Sequence, residues 1–208
     1  MCHIEYFIQR CGSTPYSYRA SRNVLLQDAV VSYITHHDRD NKFLLHLEHR
    51  MRASALAIEL RKERTFSGFE NMSDEAREAY QNAAQTFLAM KVLCEGHNEE
   101  AQNILRSQPT STDINTVATA ANLVSLLCNT SQSLRVMENA EVELVVSGLN
   151  CLVEVVQGPC VGNQELLANL EDFIPALDRV IKPIPYFRPC LLHSVIEKLR
   201  KKLAAHDL

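Results

Sequence analysis

The stretch that decides the fold runs from Glu138 to Pro159 and reads ENAEVELVVSGLNCLVEVVQGP. Its apolar residues recur every three or four positions and form one face, while polar residues form another. Gly158 and Pro159 end the pattern, because glycine accepts a left-handed conformation and proline cannot continue a helix. The spacing therefore predicts an amphipathic helix over residues 138–157, with an apolar face formed by Val142, Val145, Leu149, Leu152 and Val156.

The same helical period covers most of the chain. Ser73 and Asn98 are expected to cap the helices that follow them, and Gly96 is expected to end the helix that reaches Cys94. Further helices are predicted over residues 21–36, 42–63, 73–94, 98–107, 113–128, 163–181 (broken at Pro175) and 190–204. With little strand signal, the sequence predicts an all-α protein, an armadillo-like α-solenoid or irregular helical bundle of about eight helices.

Composition excludes several classes of protein. The 208 residues are 46% hydrophobic and 22% charged, which is enough to bury a core. Lys and Arg number 21 against 25 Asp and Glu, and this net charge of −4 argues against nucleic-acid binding. Seven cysteines without a C-x-x-C motif, and a polar segment at residues 1–10, favour a reducing compartment. Since no run of 18 apolar residues occurs, we expect no direct membrane insertion, and a membrane function would place the pore elsewhere.

Three patterns resemble reactive sites only weakly. His46 and His49 have the spacing of a metal-ligand pair, but an exposed charged helix face explains them better. No motif that orients a base accompanies Cys94 and His97, so we interpret Cys94 as a buried thiol near a helix end and not as a nucleophile. The cluster 198–202 is read as a solvated last helical turn. With no known catalytic motif in the chain, we expect no enzyme.

Two glutamates are predicted at the C-terminal ends of helices. Glu95 precedes Gly96, and Glu154 precedes Gly158 by one turn. The negative end of the helix dipole disfavours each carboxylate by about 0.3–1 kcal/mol, and a bound hard cation would relieve this cost. Calcium accepts such carboxylate and carbonyl oxygens. The residues alone favour two unrelated exposed glutamates, because the sequence does not show that the two helix ends meet.

A resemblance to a known family changes this interpretation. Two blocks are similar to two signatures, in the same order, of the ryanodine receptors and inositol trisphosphate receptors, which are intracellular calcium-release channels. The first block is LCEGHN at 93–98 with QN at 102–103 and LRSQ at 105–108; the second is EVVQGPC at 154–160 with GNQ at 162–164 and LA at 167–168. The resemblance spans residues 85–168. The connection 109–139 is closer to the inositol trisphosphate receptor length, whereas 95–97 and 162–164 resemble the ryanodine receptors, so the subfamily stays open.

The resemblance implies a specific site. In these channels the region is the homology-associated domain, a helical cytosolic piece that links the regulatory solenoid to the pore. The glutamates of the two blocks are calcium ligands there, and carried over they are Glu95 and Glu154. The neighbouring histidine and glutamine lie close to the ion, and here they are His97 and Gln157. A further ligand is a backbone carbonyl of the family's C-terminal region.

We accordingly expect an unassigned N-terminal helical segment at 1–71, the homology-associated domain at 72–181, and a Pro-rich linker with a C-terminal helix at 182–208. The expected function is calcium sensing and coupling in a calcium-release channel, at the cytoplasmic side of the endoplasmic or sarcoplasmic reticulum. The expected partner is the channel's pore and C-terminal region, with a homotetramer held through the pore. Calcium should bind weakly to the isolated chain. The alternative is a free-standing cytosolic helical scaffold without channel activity.

Overall fold

A computed structural model of the protein describes residues 24–66, 73–108, 114–135, 137–158, 160–181 and 190–204. Within those ranges the chain forms ten helices and no strand, which confirms the all-α class, with two helices more than the predicted eight. They are α1 (Val24–His36), α2 (Lys42–Phe66), α3 (Asp74–Cys94), α4 (Glu99–Arg106), α5 (Thr116–Leu127), α6 (Ser131–Arg135), α7 (Asn139–Val155), α8 (Val161–Asn169), α9 (Phe173–Ile181) and α10 (Cys190–Leu203). None of these helices is both long enough and apolar enough to cross a membrane. The solenoid arrangement stays a prediction.

The helix boundaries near the two glutamates follow from local chemistry. The Ser73 hydroxyl accepts a hydrogen bond from the third backbone N–H of α3, and the Asn98 side chain does the same for α4. Gly96 has a φ of 78° directly after α3. The side chains and backbones of Glu138 and Glu141 form a reciprocal capping box at the start of α7. The predicted caps and stops are therefore confirmed.

Three boundaries differ from the sequence-based prediction. α2 continues to Phe66, three residues beyond its predicted end at residue 63. The predicted helix at 163–181 is two helices, and its break lies at 170–172 instead of at Pro175. Pro175 is the third residue of α9, where its missing N–H has no intrahelical partner to lose. The short helix α6 was not predicted. Outside the described residues lie the predicted helix starts at 21–23 and at 113, and the predicted Pro-rich linker at 182–189.

The core is centred on α3 and α7, which pack against each other more extensively than any other pair of described helices. α2, α5 and α10 surround this pair. Phe87, Met90 and Leu93 on α3, and Leu149 and Leu152 on α7, are almost completely inaccessible to solvent. This burial of large apolar side chains is the main source of the domain's stability.

α3 and α7 run parallel. The contacts between them advance in the same direction along both helices: Tyr80 with Glu141, Ala84 with Ser147, Phe87 with Gly148, and Lys91 with Cys151. A Cβ atom on Gly148 would lie 3.0 Å from the Phe87 ring and 2.6 Å from Val124 of α5, so this glycine permits the close approach. Parallel packing places the C-terminal ends of α3 and α7 at the same end of the core.

Candidate calcium site

The turns that follow α3 and α7 touch each other. Glu95 is the C-cap of α3, and Gly96 and His97 then take positive φ values of 78° and 63°. Gly158, with a φ of 87°, follows α7. A Cβ atom on Gly158 would lie only 2.9 Å from His97 Nδ1, so the His97 imidazole packs against the turn that follows α7. The structure thus brings together the helix ends that carry the two glutamates, a convergence that the sequence alone did not show.

The electrostatic environment of Glu154 reflects this convergence. Its carboxyl group is half-buried, and burial raises its pKa above the ordinary value of 4.5. The negative charge of Glu95 raises the pKa further, while Lys91, His97 and Lys198 lower it without cancelling the shift. Two like charges therefore act on each other at one end of the core. Such a pair favours the binding of a cation.

The backbones of both glutamates are held by buried glutamines from other helices. The Gln27 side chain on α1 donates its amide N–H groups to the Glu95 carbonyl at 3.0 Å and to a carbonyl in the last turn of α3. The Gln102 side chain on α4 donates to the carbonyls of Glu154 and Gln157, each at 2.7 Å. Gln27 is 3% exposed and Gln102 is fully buried. Each glutamate is therefore fixed at its main chain by a side chain distant in the sequence.

Two further amides complete this set at the end of α7. Asn163 donates to the Val155 carbonyl at 3.0 Å, and Gln164 donates to the carbonyls of Val156 and Gly158. Carbonyls at a helix C-terminus lack intrahelical partners, and these amides supply them. The carbonyl oxygens at these positions therefore already accept hydrogen bonds. The carboxylates are the principal ligands that the turns offer to a cation.

The described part of the chain does not contain a complete metal site, because no three His, Cys, Asp or Glu side chains in it are grouped as a metal requires. Glu95 and His97 are exposed, and Glu154 is half-buried. Gln157 contributes its backbone carbonyl to the hydrogen bond with Gln102, and a place for its side chain beside an ion stays a prediction. Calcium takes six to eight oxygen ligands. A calcium ion held by the two carboxylates would need more oxygens from water or from another polypeptide segment.

The structure agrees with the plain interpretation of Cys94 and His49, whereas His46, predicted on an exposed helix face, is half-buried. Cys94 is fully buried, and burial raises the pKa of its thiol well above the ordinary range, so it is not an activated nucleophile. His49 and Lys198 are exposed on their helices. His46 and His49 belong to no metal-binding group within the described ranges.

Sequence reasoning missed Gln27 and Lys91. Gln27 lies 68 residues before Glu95 in a helix outside the resemblance, and no local signal connects the two positions. Lys91 stands one helical turn before Glu95, a spacing that brings side chains together on a helix and could have identified it.

Comparison with known proteins assigns the family. Residues 77–179, about half of the chain, match the family model described as RyR and IP3R Homology associated. This segment of the chain belongs to that family. It is also similar to the inositol 1,4,5-trisphosphate receptor itr-1 of Caenorhabditis elegans, with 34% identity over 87 residues. That alignment covers 40% of this chain and 3% of the receptor, so the chain spans a small fraction of the length of this relative.

The segment that matches the homology-associated family contains the candidate site, but not every helix that contacts the site. It begins inside α3 and ends inside α9, so Glu95, Gln102 and Glu154 fall within it. Gln27 on α1 and the whole of α10 lie outside it. The site is therefore held in part by elements beyond the matched segment.

Proposed function

We propose that this domain is the calcium-sensing and coupling segment of an intracellular calcium-release channel of the ryanodine or inositol trisphosphate receptor type. In this proposal Glu95 and Glu154 are calcium ligands, with His97 and Gln157 beside the ion. The domain lies on the cytoplasmic side of the endoplasmic or sarcoplasmic reticulum membrane. It has no catalytic role and transmits cytosolic ligand and calcium binding to the pore. Family membership supports the channel context.

The observation that carries the proposal is the parallel packing of α3 and α7, which brings Glu95 and Glu154 to one end of the core. The burial of Glu154 and its repulsion from Glu95 outweigh the positive charges nearby, as the raised pKa of Glu154 reflects. A divalent cation with oxygen preference relieves this repulsion. The buried amides of Gln27 and Gln102 hold both main chains in place, so little ordering is needed on binding.

An incomplete ligand set is suited to coupling. Two carboxylates of this domain bind calcium weakly, and a carbonyl from the pore-side region, in the same polypeptide or another chain, completes the site. Calcium then binds best in the arrangement that brings the two bodies together. Only such a difference in affinity between two arrangements shifts a gating equilibrium. Because the amides connect the glutamates to α1 and α4, a displacement at the ion is transmitted to the rest of the fold.

The test is a calorimetric calcium titration of the whole chain. We expect wild type to bind with a dissociation constant of about a millimolar or weaker, as suits two carboxylates. Glu95→Gln and Glu154→Gln should abolish that binding without unfolding the protein. Glu99→Gln is the matched control, because Glu99 is an exposed acid in the first turn of α4.

Two results would contradict the proposal. Unchanged calcium binding in both variants would favour the alternative, a free-standing helical scaffold without channel activity. Loss of the folded state in the double variant would make the glutamates structural. In a full-length channel that carries this segment, Glu95→Gln and Glu154→Gln should remove activation by cytosolic calcium.

A further inference from the structure

We infer that Lys91 is a built-in counter-cation of the candidate site, which balances Glu95 and Glu154 in the absence of calcium and lowers the affinity for the ion. This inference rests on the proposed function, because it assumes that the two glutamates are the calcium ligands. Lys91 would then set the calcium concentration at which the site fills, without itself binding the ion.

The position of Lys91 on α3 supports this role. Lys91 lies four residues before Glu95, so both side chains project from the same face of the last turn. The Lys91 backbone lies beside the Cys151 thiol of α7, and Cys151 precedes Glu154 by three residues on its own helix. The parallel register of the two helices therefore places Lys91 one turn before both glutamates.

The charges around Glu154 agree with that geometry. Four charged or titratable residues act on its carboxyl group: Lys91, Glu95, His97 and Lys198. Lys91 has the largest effect of the four. Lys91 is half-buried, whereas Lys198 on α10 is exposed, so water screens the charge of Lys91 less. A flexible lysine stem lets the ammonium group remain near the two carboxylates while they lack another cation.

Calcium and Lys91 then compete for the same negative charge. The ammonium group repels a divalent ion, and a separation of several ångströms at a partly solvated site corresponds to roughly a tenfold weaker affinity. Because the repulsion acts through solvent, added salt should reduce it. The calcium affinity of the domain would thus fall less steeply with ionic strength than the affinity of two carboxylates alone.

The test compares calcium titrations of whole-chain variants in low-salt buffer. Lys91→Met keeps the apolar stem and removes the charge, so we expect about tenfold tighter binding. Lys91→Arg keeps the charge and should bind like wild type. Lys198→Met removes the more exposed charge and should tighten binding less than Lys91→Met does. High salt should narrow the difference between wild type and Lys91→Met.

The outcomes separate this inference from the proposed function. If Glu154→Gln abolishes binding but Lys91→Met binds like wild type, the inference fails and the calcium site stands. If neither wild type nor Lys91→Met binds calcium, both fail. A double-mutant cycle of Lys91→Met and Glu154→Gln, measured by unfolding without calcium, should show a non-additive effect. Strict additivity in that cycle would overturn the inference independently of calcium.

Discussion

The two ends of the α3–α7 pair each contain a carboxylate, and the two carboxylates differ in burial and in their hydrogen-bond partners. Near the start of α7, Glu141 is almost completely buried and receives hydrogen bonds from Arg61 at 2.5 Å, from the Tyr80 hydroxyl at 3.2 Å and from the Glu138 backbone at 2.9 Å. At the other end Glu154 is half-buried, and nearby positive charges reduce its raised pKa only in part. A carboxylate with fixed partners joins helices together, and one without them is available to a ligand.

This difference also concerns the source of the compensating charge. Arg61 comes from α2 and contacts both Glu138 and Glu141, so the fold itself supplies a fixed cation at the start of the pair. At the other end the buried amides donate to main-chain carbonyls, and the positive charges near Glu154 lower its raised pKa only in part. Three substitutions test this contrast, and they are ordered by the size of the expected effect.

Arg61→Met should have the largest effect on stability. The substitution leaves Glu141 buried without its cation, and such a broken pair costs about 3–5 kcal/mol. Denaturant unfolding monitored by circular dichroism measures the loss. Glu154→Gln, which removes one charge at the other end of the α3–α7 pair, is the comparison and should change stability little. Combining Arg61→Met with Glu141→Gln should recover part of the lost stability. If Arg61→Met alone is as stable as wild type, the proposed difference between the two ends of the α3–α7 pair is wrong.

Gln102→Met should have an intermediate effect. The methionine fills a similar volume but cannot donate to the carbonyls of Glu154 and Gln157, and leaving buried acceptors unsatisfied costs about 1–3 kcal/mol. Gln157→Met, at a half-buried glutamine in the same turn, is the matched control. Equal losses in the two variants, measured by the same unfolding method, would show that the Gln102 amide does not fix the end of α7.

Glu154→Gln should have the smallest effect, and it should depend on pH. The folded state holds the Glu154 proton more tightly than the unfolded state, because the folded pKa is raised above 4.5. This contribution to stability is present below pH 4.5 and is lost as the pH rises through the folded pKa. In calcium-free buffer, the variant should therefore gain stability relative to wild type across that interval, by under about 1 kcal/mol because Glu154 is partly solvated.

The control for the pH experiment is Glu143→Gln, at an exposed position of α7. Its stability relative to wild type should not change over the same interval. If Glu154→Gln instead loses stability as the pH rises, then Glu154 is stabilised as an anion by the fold. The contrast between the two ends would then be wrong.

Local chemistry in the sequence predicted much of the fold. The caps Ser73 and Asn98 and the stops Gly96 and Gly158 are single-residue signals, and each was correct. The break before α9 was misplaced because a proline in the first helical turn is tolerated and does not mark the break itself. The short α6 gives no periodic pattern that sequence reasoning can detect.

The arrangement of the candidate site was less accessible to sequence reasoning. The dipole argument placed Glu95 and Glu154 at helix ends, and the resemblance connected them. The parallel direction of α3 and α7 is a property of tertiary packing, which no local pattern encodes. The same holds for Gln27, whose contact with Glu95 depends on how α1 docks. Residues that assemble a site from distant segments become visible only in the folded molecule.

Parallel packing also makes the candidate site depend on the closure of a long segment of chain. The chain passes through α4, α5 and α6 before α7 begins, so Glu154 reaches Glu95 only after a long segment has closed. In an unfolded chain the two carboxylates are far apart and offer a cation no joint site. An ion that bridges them therefore binds the native state alone and stabilises the domain by an amount that grows with the calcium concentration relative to the dissociation constant. Calcium would slow unfolding, and thermal opening of the α3–α7 pair would release the ion.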